Sequence, residues 1–293
     1  SYYTPDELAD LLIQQGLDGL DIQNGAFRFC DPACGAGRFL VGLGHRLRQR
    51  CSPTEFEHRL KSSLYGLDSD PVAVKLCRFA LKRHFGRAGV LAAQNIICAN
   101  ALTIEWGTCF RDVFQGNQAG FDLVIGNPPY VNAIEGRVGQ DQKAILRRRF
   151  PQITGTADLA FYFLVHATNQ LSENGRLAFV MPRATLNAAS LVGWRTGLGE
   201  NLTPISLYMP NRSNFFEGAS VFVVNIVLGP GKACAVSEDD DPRTVTWTKG
   251  IISDSNWWLA AQSILRGQSL PNRRHTTSLS SIYDLCASMT TGD

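Results

Sequence analysis

Apolar and polar positions along this chain recur in one order: a short apolar run, a turn, then a stretch with apolar residues at helical spacing. From about residue 27 to 229 the order repeats, and it predicts strands over 27–31, 64–68, 95–99, 121–126, 177–181, 205–209 and 221–228. Strands that alternate with helices imply an α/β fold with a doubly wound, mostly parallel, seven-stranded sheet. Sheets of that kind bind ligands at the carboxyl ends of their strands. Beyond Gly229 the character changes. Gly229-Pro230-Gly231 reads as a breaker, followed by the solvated run Glu238-Asp239-Asp240-Asp241-Pro242 and a tryptophan-bearing segment. No internal repeat is visible.

Two of the expected strand ends carry unusual chemistry. Phe121-Asp122-Leu123-Val124-Ile125-Gly126 runs into Asn127-Pro128-Pro129-Tyr130. Consecutive prolines fix φ and remove two N–H donors, so this turn cannot relax into helix. The Asn127 side-chain carbonyl and the Pro128 backbone carbonyl are two acceptors side by side, which suits an amino group, and Tyr130 offers a flat face to a planar ring. A stiff turn with a satisfied Asn is the plain alternative. Upstream, Phe29-Cys30-Asp31-Pro32-Ala33-Cys34-Gly35-Ala36-Gly37-Arg38-Phe39-Leu40 reads as strand, glycine turn and helix. Gly35 and Gly37 let backbone approach a ligand without a Cβ in the way. A dinucleotide fingerprint needs a third glycine where Leu40 stands. Asp68, at the end of the next strand, also lies further on than the roughly 20 residues typical of a nicotinamide site. A nucleoside with a ribose and no pyrophosphate fits better, with Asp68 accepting from the ribose hydroxyls or serving only as a turn residue. Asp70 is expected to cap a helix that opens with Pro71 and continues through Val72, Leu76, Phe79 and Ala80.

The N-terminal Thr4-Pro5-Asp6-Glu7 has capping-box form, with Thr4 as N-cap and Glu7 three residues later. Leu8, Leu11 and Leu12 supply the buried stripe. Asn100 is expected to end the third strand.

Asp31–Leu40 together with Asn127–Tyr130 resembles the S-adenosylmethionine-dependent adenine-N6 DNA methyltransferases of restriction–modification systems. The order of the two motifs is that of their gamma class. Tyr2-Tyr3-Thr4-Pro5 resembles the N-terminal motif of that class. Residues 155–161 resemble the helix after the catalytic turn, and 175–182 its fifth strand. The resemblance implies a Rossmann-like methyltransferase fold whose seventh strand is antiparallel. It also implies that S-adenosylmethionine is bound by Tyr3, Thr4, Asp31, Pro32, Ala33, Gly35, Gly37, Asp68, Asn100 and Asn127, leaving as S-adenosylhomocysteine. Asn100 would accept from the cofactor's adenine amino group, where the family usually carries an acid. Asn127, Pro128, Pro129 and Tyr130 would hold a flipped-out adenine. Phe216, with Phe215 close behind, would supply a second stacking ring. Double-stranded DNA is the implied partner, with a restriction endonuclease domain or subunit beside it. The implied setting is the cytoplasm of a prokaryote.

The implied organisation is a catalytic domain over 1–229, a linker or extension over 230–278, and over 279–293 the start of a target-recognition domain cut from a longer chain. Composition narrows little further. With 28 basic and 26 acidic residues the chain has no general polyanion signature, so DNA contact needs a local basic patch. Arg147-Arg148-Arg149 is either that patch or a solvated face. Eight cysteines and five histidines show no metal spacing, and reduced thiols are the simplest reading. No signal peptide or membrane-length apolar run is seen. Two other functions share these motifs: a methyltransferase acting on RNA or a protein glutamine, and a non-catalytic DNA-binding or regulatory module that kept the fold.

Overall fold

The structure is a computed structural model, and it describes residues 4–20, 22, 27–116, 119–130, 140–198, 202–210, 221–231, 233–238, 241–246 and 256–266. In chain order, α1 (Asp6–Leu17) precedes β1 (Phe29–Asp31), followed by α2 (Arg38–Arg48), α3 (Pro53–Ser63), β2 (Leu64–Asp68) and α4 (Pro71–Ala92). Then come β3 (Ile96–Cys98), α5 (Trp106–Cys109), β4 (Phe121–Gly126), α6 (Gln140–Arg149), α7 (Leu159–Thr168) and β5 (Leu171–Pro182). The last elements are α8 (Val192–Gly197), β6 (Thr203–Tyr208), β7 (Val223–Gly229), β8 (Ala233–Glu238), β9 (Asp241–Thr246) and α9 (Trp257–Leu265).

One sheet runs in the order β3-β2-β1-β4-β5-β7-β6-β8-β9. β1 to β5 are parallel, and β7 runs antiparallel to both β5 and β6. All seven expected strands are present, and β8 and β9 extend the sheet. The Gly229–Gly231 breaker does not end the fold. It carries the chain around the start of β6, where the Thr203 hydroxyl reaches the Gly231 carbonyl at 2.9 Å, and β8 then pairs with β6 in parallel. The ends of the acidic run belong to the sheet, Glu238 of β8 pairing with Asp241 of β9.

Side chains alternate across the strands as the pleat requires. Leu177, Phe179 and Met181 of β5 face a core shared with α5 to α9, while Ala178 and Val180 face a second core under α1 to α4. The sheet is thus covered on both faces, as parallel strands demand. At the amino edge of the strands a single carboxylate fastens three segments. Asp122 accepts from the Arg28 backbone N–H at 2.8 Å and from the Ser172 hydroxyl at 3.1 Å.

Two local expectations changed. The capping box at α1 does not form: Pro5 occupies the N-cap position and no side chain caps it. The Thr4 hydroxyl is drawn instead to Asn127, and Leu11 is only half-buried while Leu8, Leu12 and Ile13 reach the core. In α4 the cap is as expected, Asp70 accepting from the Val72 N–H at 2.8 Å ahead of Pro71. Its buried stripe, however, is Val74, Cys77, Leu81 and Phe85, so Val72, Leu76 and Phe79 face outward.

Candidate active site

The strand order reverses between β1 and β4, and there the carboxyl ends diverge into a crevice. β1 ends at Asp31, and the next six residues fold back as a tight turn. Its backbone is held by Cys34 N–H donating to the Leu67 carbonyl (2.9 Å) and Gly37 N–H to the Cys34 carbonyl (2.7 Å). Gly35 and Gly37 have φ of 51° and 89°, a region that disfavours side chains. Gly37 is also pinned sterically, since a Cβ there would lie 2.8 Å from the Cys77 sulfur. Gly35 is different: a Cβ there would meet no protein atom within 4 Å.

Asp68, ending β2, ties this turn to its own strand. One carboxylate oxygen accepts from the Gly35 N–H at 2.8 Å and the other from the Asp70 N–H at 2.9 Å. Asp31 sits deeper, 1% exposed, and accepts from the Ala33 N–H at 3.1 Å. Burial pushes its carboxyl up to about 8, with the negative Asp68 adding to the rise and the Ala33 N–H opposing it. Only a glycine fits beside it, because a Cβ on Gly126 would lie 2.7 Å from the Asp31 oxygen.

Gly126 leads directly into the rigid turn of β4. The Asn127 amide nitrogen donates to the Thr4 hydroxyl at 3.0 Å, and its Oδ1 accepts from the Tyr130 hydroxyl at 2.6 Å. These two bonds hold the amide in place at the mouth of the turn. The Tyr130 hydroxyl is also 2.9 Å from the Val180 carbonyl, so one proton serves two acceptors. Burial, and secondarily Asp158, holds that phenol well above its usual range, so it remains a donor. Thr4 is kept in reach by α1, which Arg38 clamps through Asp6 (3.2 Å) and Asp10 (3.0 Å).

The turns at the ends of β1, β2 and β4 border one cleft of about 660 Å³. It brings together Thr4, Asp31–Gly35, Asp68, Asn100 and Asn127–Tyr130. Gly37 lies behind the turn and shapes it. The Asn100 Oδ1 accepts from the Leu102 N–H at 3.0 Å, so its side chain is engaged in a local turn at the cleft wall. Tyr3, Phe215 and Phe216 lie outside the described residues. Of the arginine run, Arg149 bonds the carbonyls of Thr103 and Ile104 and pairs with Glu105 at 2.7 Å, which makes it a structural brace. Arg147 and Arg148 are exposed. The cleft is also lined by Arg38, Val72, Leu76 and Phe163, none of which the sequence analysis assigned to the site. Arg38 alone carried a local signal, directly after Gly37. Among the described residues no cluster of His, Cys, Asp and Glu could hold a metal ion, and no helix is long and apolar enough to cross a membrane.

Solved structures share this architecture. The modification subunit of a putative type I restriction enzyme from Vibrio vulnificus YJ016 superposes with a TM-score of 0.58 at 18% identity, covering 92% of this chain and 54% of that one. A nuclease-deletion mutant of the type ISP restriction–modification enzyme LlaGI, in complex with a DNA substrate mimic, gives 0.65 at 16% identity, covering 87% and 25%. Among curated proteins, the type II methyltransferase M.BanIII of Aneurinibacillus aneurinilyticus is 26% identical over 223 residues, 75% of this chain and 36% of that protein. The type I restriction enzyme MjaIX methylase subunit of Methanocaldococcus jannaschii is 26% identical over 199 residues, 66% and 30%. The chain therefore spans about a third of the length of these curated relatives. The N-6 DNA Methylase family model matches residues 1–191, from the N-terminal segment through both motifs and past β5, and the chain belongs to that family.

Proposed function

We propose that this chain is the catalytic part of a DNA methyltransferase that moves a methyl group from S-adenosylmethionine to the N6 amino group of an adenine in double-stranded DNA. The observation that carries the reading is the Asn127 amide, fixed at the end of β4 across the crevice from Asp31, Gly35 and Asp68. The cleft's size falls within the range of small-molecule sites. Position 35 opens onto it with room to spare, and the Asp68 carboxylate, joined by Asp31 when that group ionises, suits a cationic ligand with a ribose. These residues fit S-adenosylmethionine, with Asp68 and the Gly35 turn toward the ribose and Thr4, Asp31 and Asn127 toward the remainder. Bound there, it would supply an electrophilic methyl group on a positively charged sulfur.

The chain's own residues then do the positioning. Adenine's exocyclic nitrogen is a weak nucleophile because its lone pair is delocalised into the ring. Asn127 Oδ1 and the Pro128 carbonyl accept from its two protons, which favours a pyramidal nitrogen with an available lone pair. An amide oxygen has two lone pairs, so Asn127 can receive the amino group beside or in place of the Tyr130 hydroxyl. The proton is lost easily once nitrogen is alkylated, so no strong base is required, and catalysis is mostly orientation and fixed dipoles. The base must leave the duplex at a cost of a few kcal/mol. Stacking on Tyr130 returns about 1–3 kcal/mol. That relatives are restriction–modification enzymes, one of them in complex with a DNA substrate mimic, supports DNA as the substrate and a nuclease as partner.

The test pairs calorimetry of S-adenosylhomocysteine with nucleoside mass spectrometry of unmethylated duplex DNA. In the whole protein N6-methyladenine is expected with wild type and not with Asn127→Ala, whereas this chain alone binds the ligand, methylates weakly or not at all, and loses ligand binding in Asp68→Ala. Methylation of cytosine, RNA or protein in place of adenine, or undiminished transfer by Asn127→Ala, refutes the proposal.

A further inference from the structure

On the outer face of α4, Val72, Leu76 and Phe79 are 58%, 51% and 66% exposed. Their spacing puts them on one helical stripe, and Arg83 continues it. The stripe starts at the cleft, since Val72 and Leu76 also line its wall. α4 contains no acidic residue in its 22 positions. Of its basic side chains, Arg78 is spent on the Ile96 carbonyl and Arg87 on Glu57. Lys75, Lys82 and Arg83 are exposed, and among the described residues none of them forms a salt bridge.

The geometry points to α4 as a docking surface for an acidic, amphipathic helix of a protein partner, seated along Val72–Leu76–Phe79 with its carboxylates toward Lys75, Lys82 and Arg83. Charge decides the sign of the partner: an uncompensated basic flank steers acidic surfaces and repels basic ones. Apolar content decides its class. DNA phosphates satisfy lysines but bury no phenylalanine, whereas an aromatic at the centre of a charged rim is the usual anchor of a protein interface. The strip is one side chain wide, which matches the ridge of another helix better than a plane of lipid. A partner seated there lies against the wall of the cleft.

The test uses the whole chain and a labelled synthetic helix of Leu/Glu heptads, with a Leu/Lys helix of equal length, a DNA duplex and phosphatidylserine vesicles as comparisons. Fluorescence anisotropy should show saturable binding of the acidic helix alone. Binding should weaken at least tenfold in L76S/F79S and in K75E/K82E/R83E. Hydrogen exchange on the wild-type chain should show new protection over residues 72–83 when the acidic helix is added, a readout independent of any variant's folding. No binding of the acidic helix, or no protection of α4, overturns the inference. So does DNA binding that falls with the charge reversals but survives L76S/F79S, which would make α4 a phosphate-binding face, and so does preferential binding of the vesicles.

Discussion

Replacing Asp31 by Asn separates what the buried carboxyl costs the fold from what it offers a ligand. In the native protein this group titrates at about 8, pushed up mainly by burial, and in the unfolded chain at about 4. Between those values the folded state holds a proton that the unfolded state does not, so stability falls as pH rises and the loss is complete above about pH 8. Four units at about 1.36 kcal/mol each set a scale on the order of 5 kcal/mol. Asparagine has nearly the same shape, keeps the oxygen that accepts from Ala33, and cannot ionise. Urea denaturation at about pH 5 and about pH 8.5 should therefore show Asp31→Asn gaining about 4 kcal/mol on wild type across that interval. Working with the difference removes every group the two proteins share. The stabilised variant should bind S-adenosylhomocysteine at least tenfold more weakly, and wild-type affinity for the sulfonium cofactor should rise as pH approaches 8. Parallel stability profiles for the two proteins would refute the account of a buried, protonated Asp31.

The two turn glycines should fail differently: Gly37→Ala destabilises by about 2–3 kcal/mol in a chemical melt because its Cβ meets the Cys77 sulfur, whereas Gly35→Ala costs about 1 kcal/mol but weakens cofactor binding at least tenfold in calorimetry. Tyr130→Ala should lose about 5- to 150-fold in methylation kcat/KM, matching the stacking of one base, and Tyr130→Phe less than about fivefold. Equal losses in the two would show that the hydroxyl, not the ring, matters. His166 is held down to about 4 by burial and then by Arg149, so the native state stays neutral where the unfolded chain protonates. Stability is lost as pH falls from about 6.5 to about 4, and His166→Phe should remove about 1.4 kcal/mol of that loss per pH unit, read by thermal melts across the interval.

What the sequence made legible was local. Asp70 before Pro71, the glycines after Asp31 and the prolines after Asn127 each act through their nearest neighbours, so pattern alone placed them at strand ends. Long-range choices were hidden. Thr4 has cap chemistry, yet it bonds Asn127 across 123 positions, and only the resemblance of Tyr2–Pro5 to a family motif, not the local pattern, put the two in one site. Arg149 looked like one of three surface charges until the carbonyls of Thr103 and Ile104 came within its reach. In α4 the apolar residues run nearly all round the helix, so the pattern could not say which stripe the sheet would take. The Gly229–Gly231 turn reads identically whether a fold ends there or wraps around one more strand.

The Asp122 clamp has an evolutionary consequence. It locks the edge of the sheet opposite the cleft, binding the entry to β1, β4 and the start of β5 through residues that do not line that cleft. Connections at the carboxyl edge can then lengthen, shrink or exchange without loosening the scaffold beneath them. The floor of the site stays fixed while the connections above it are free to be rebuilt.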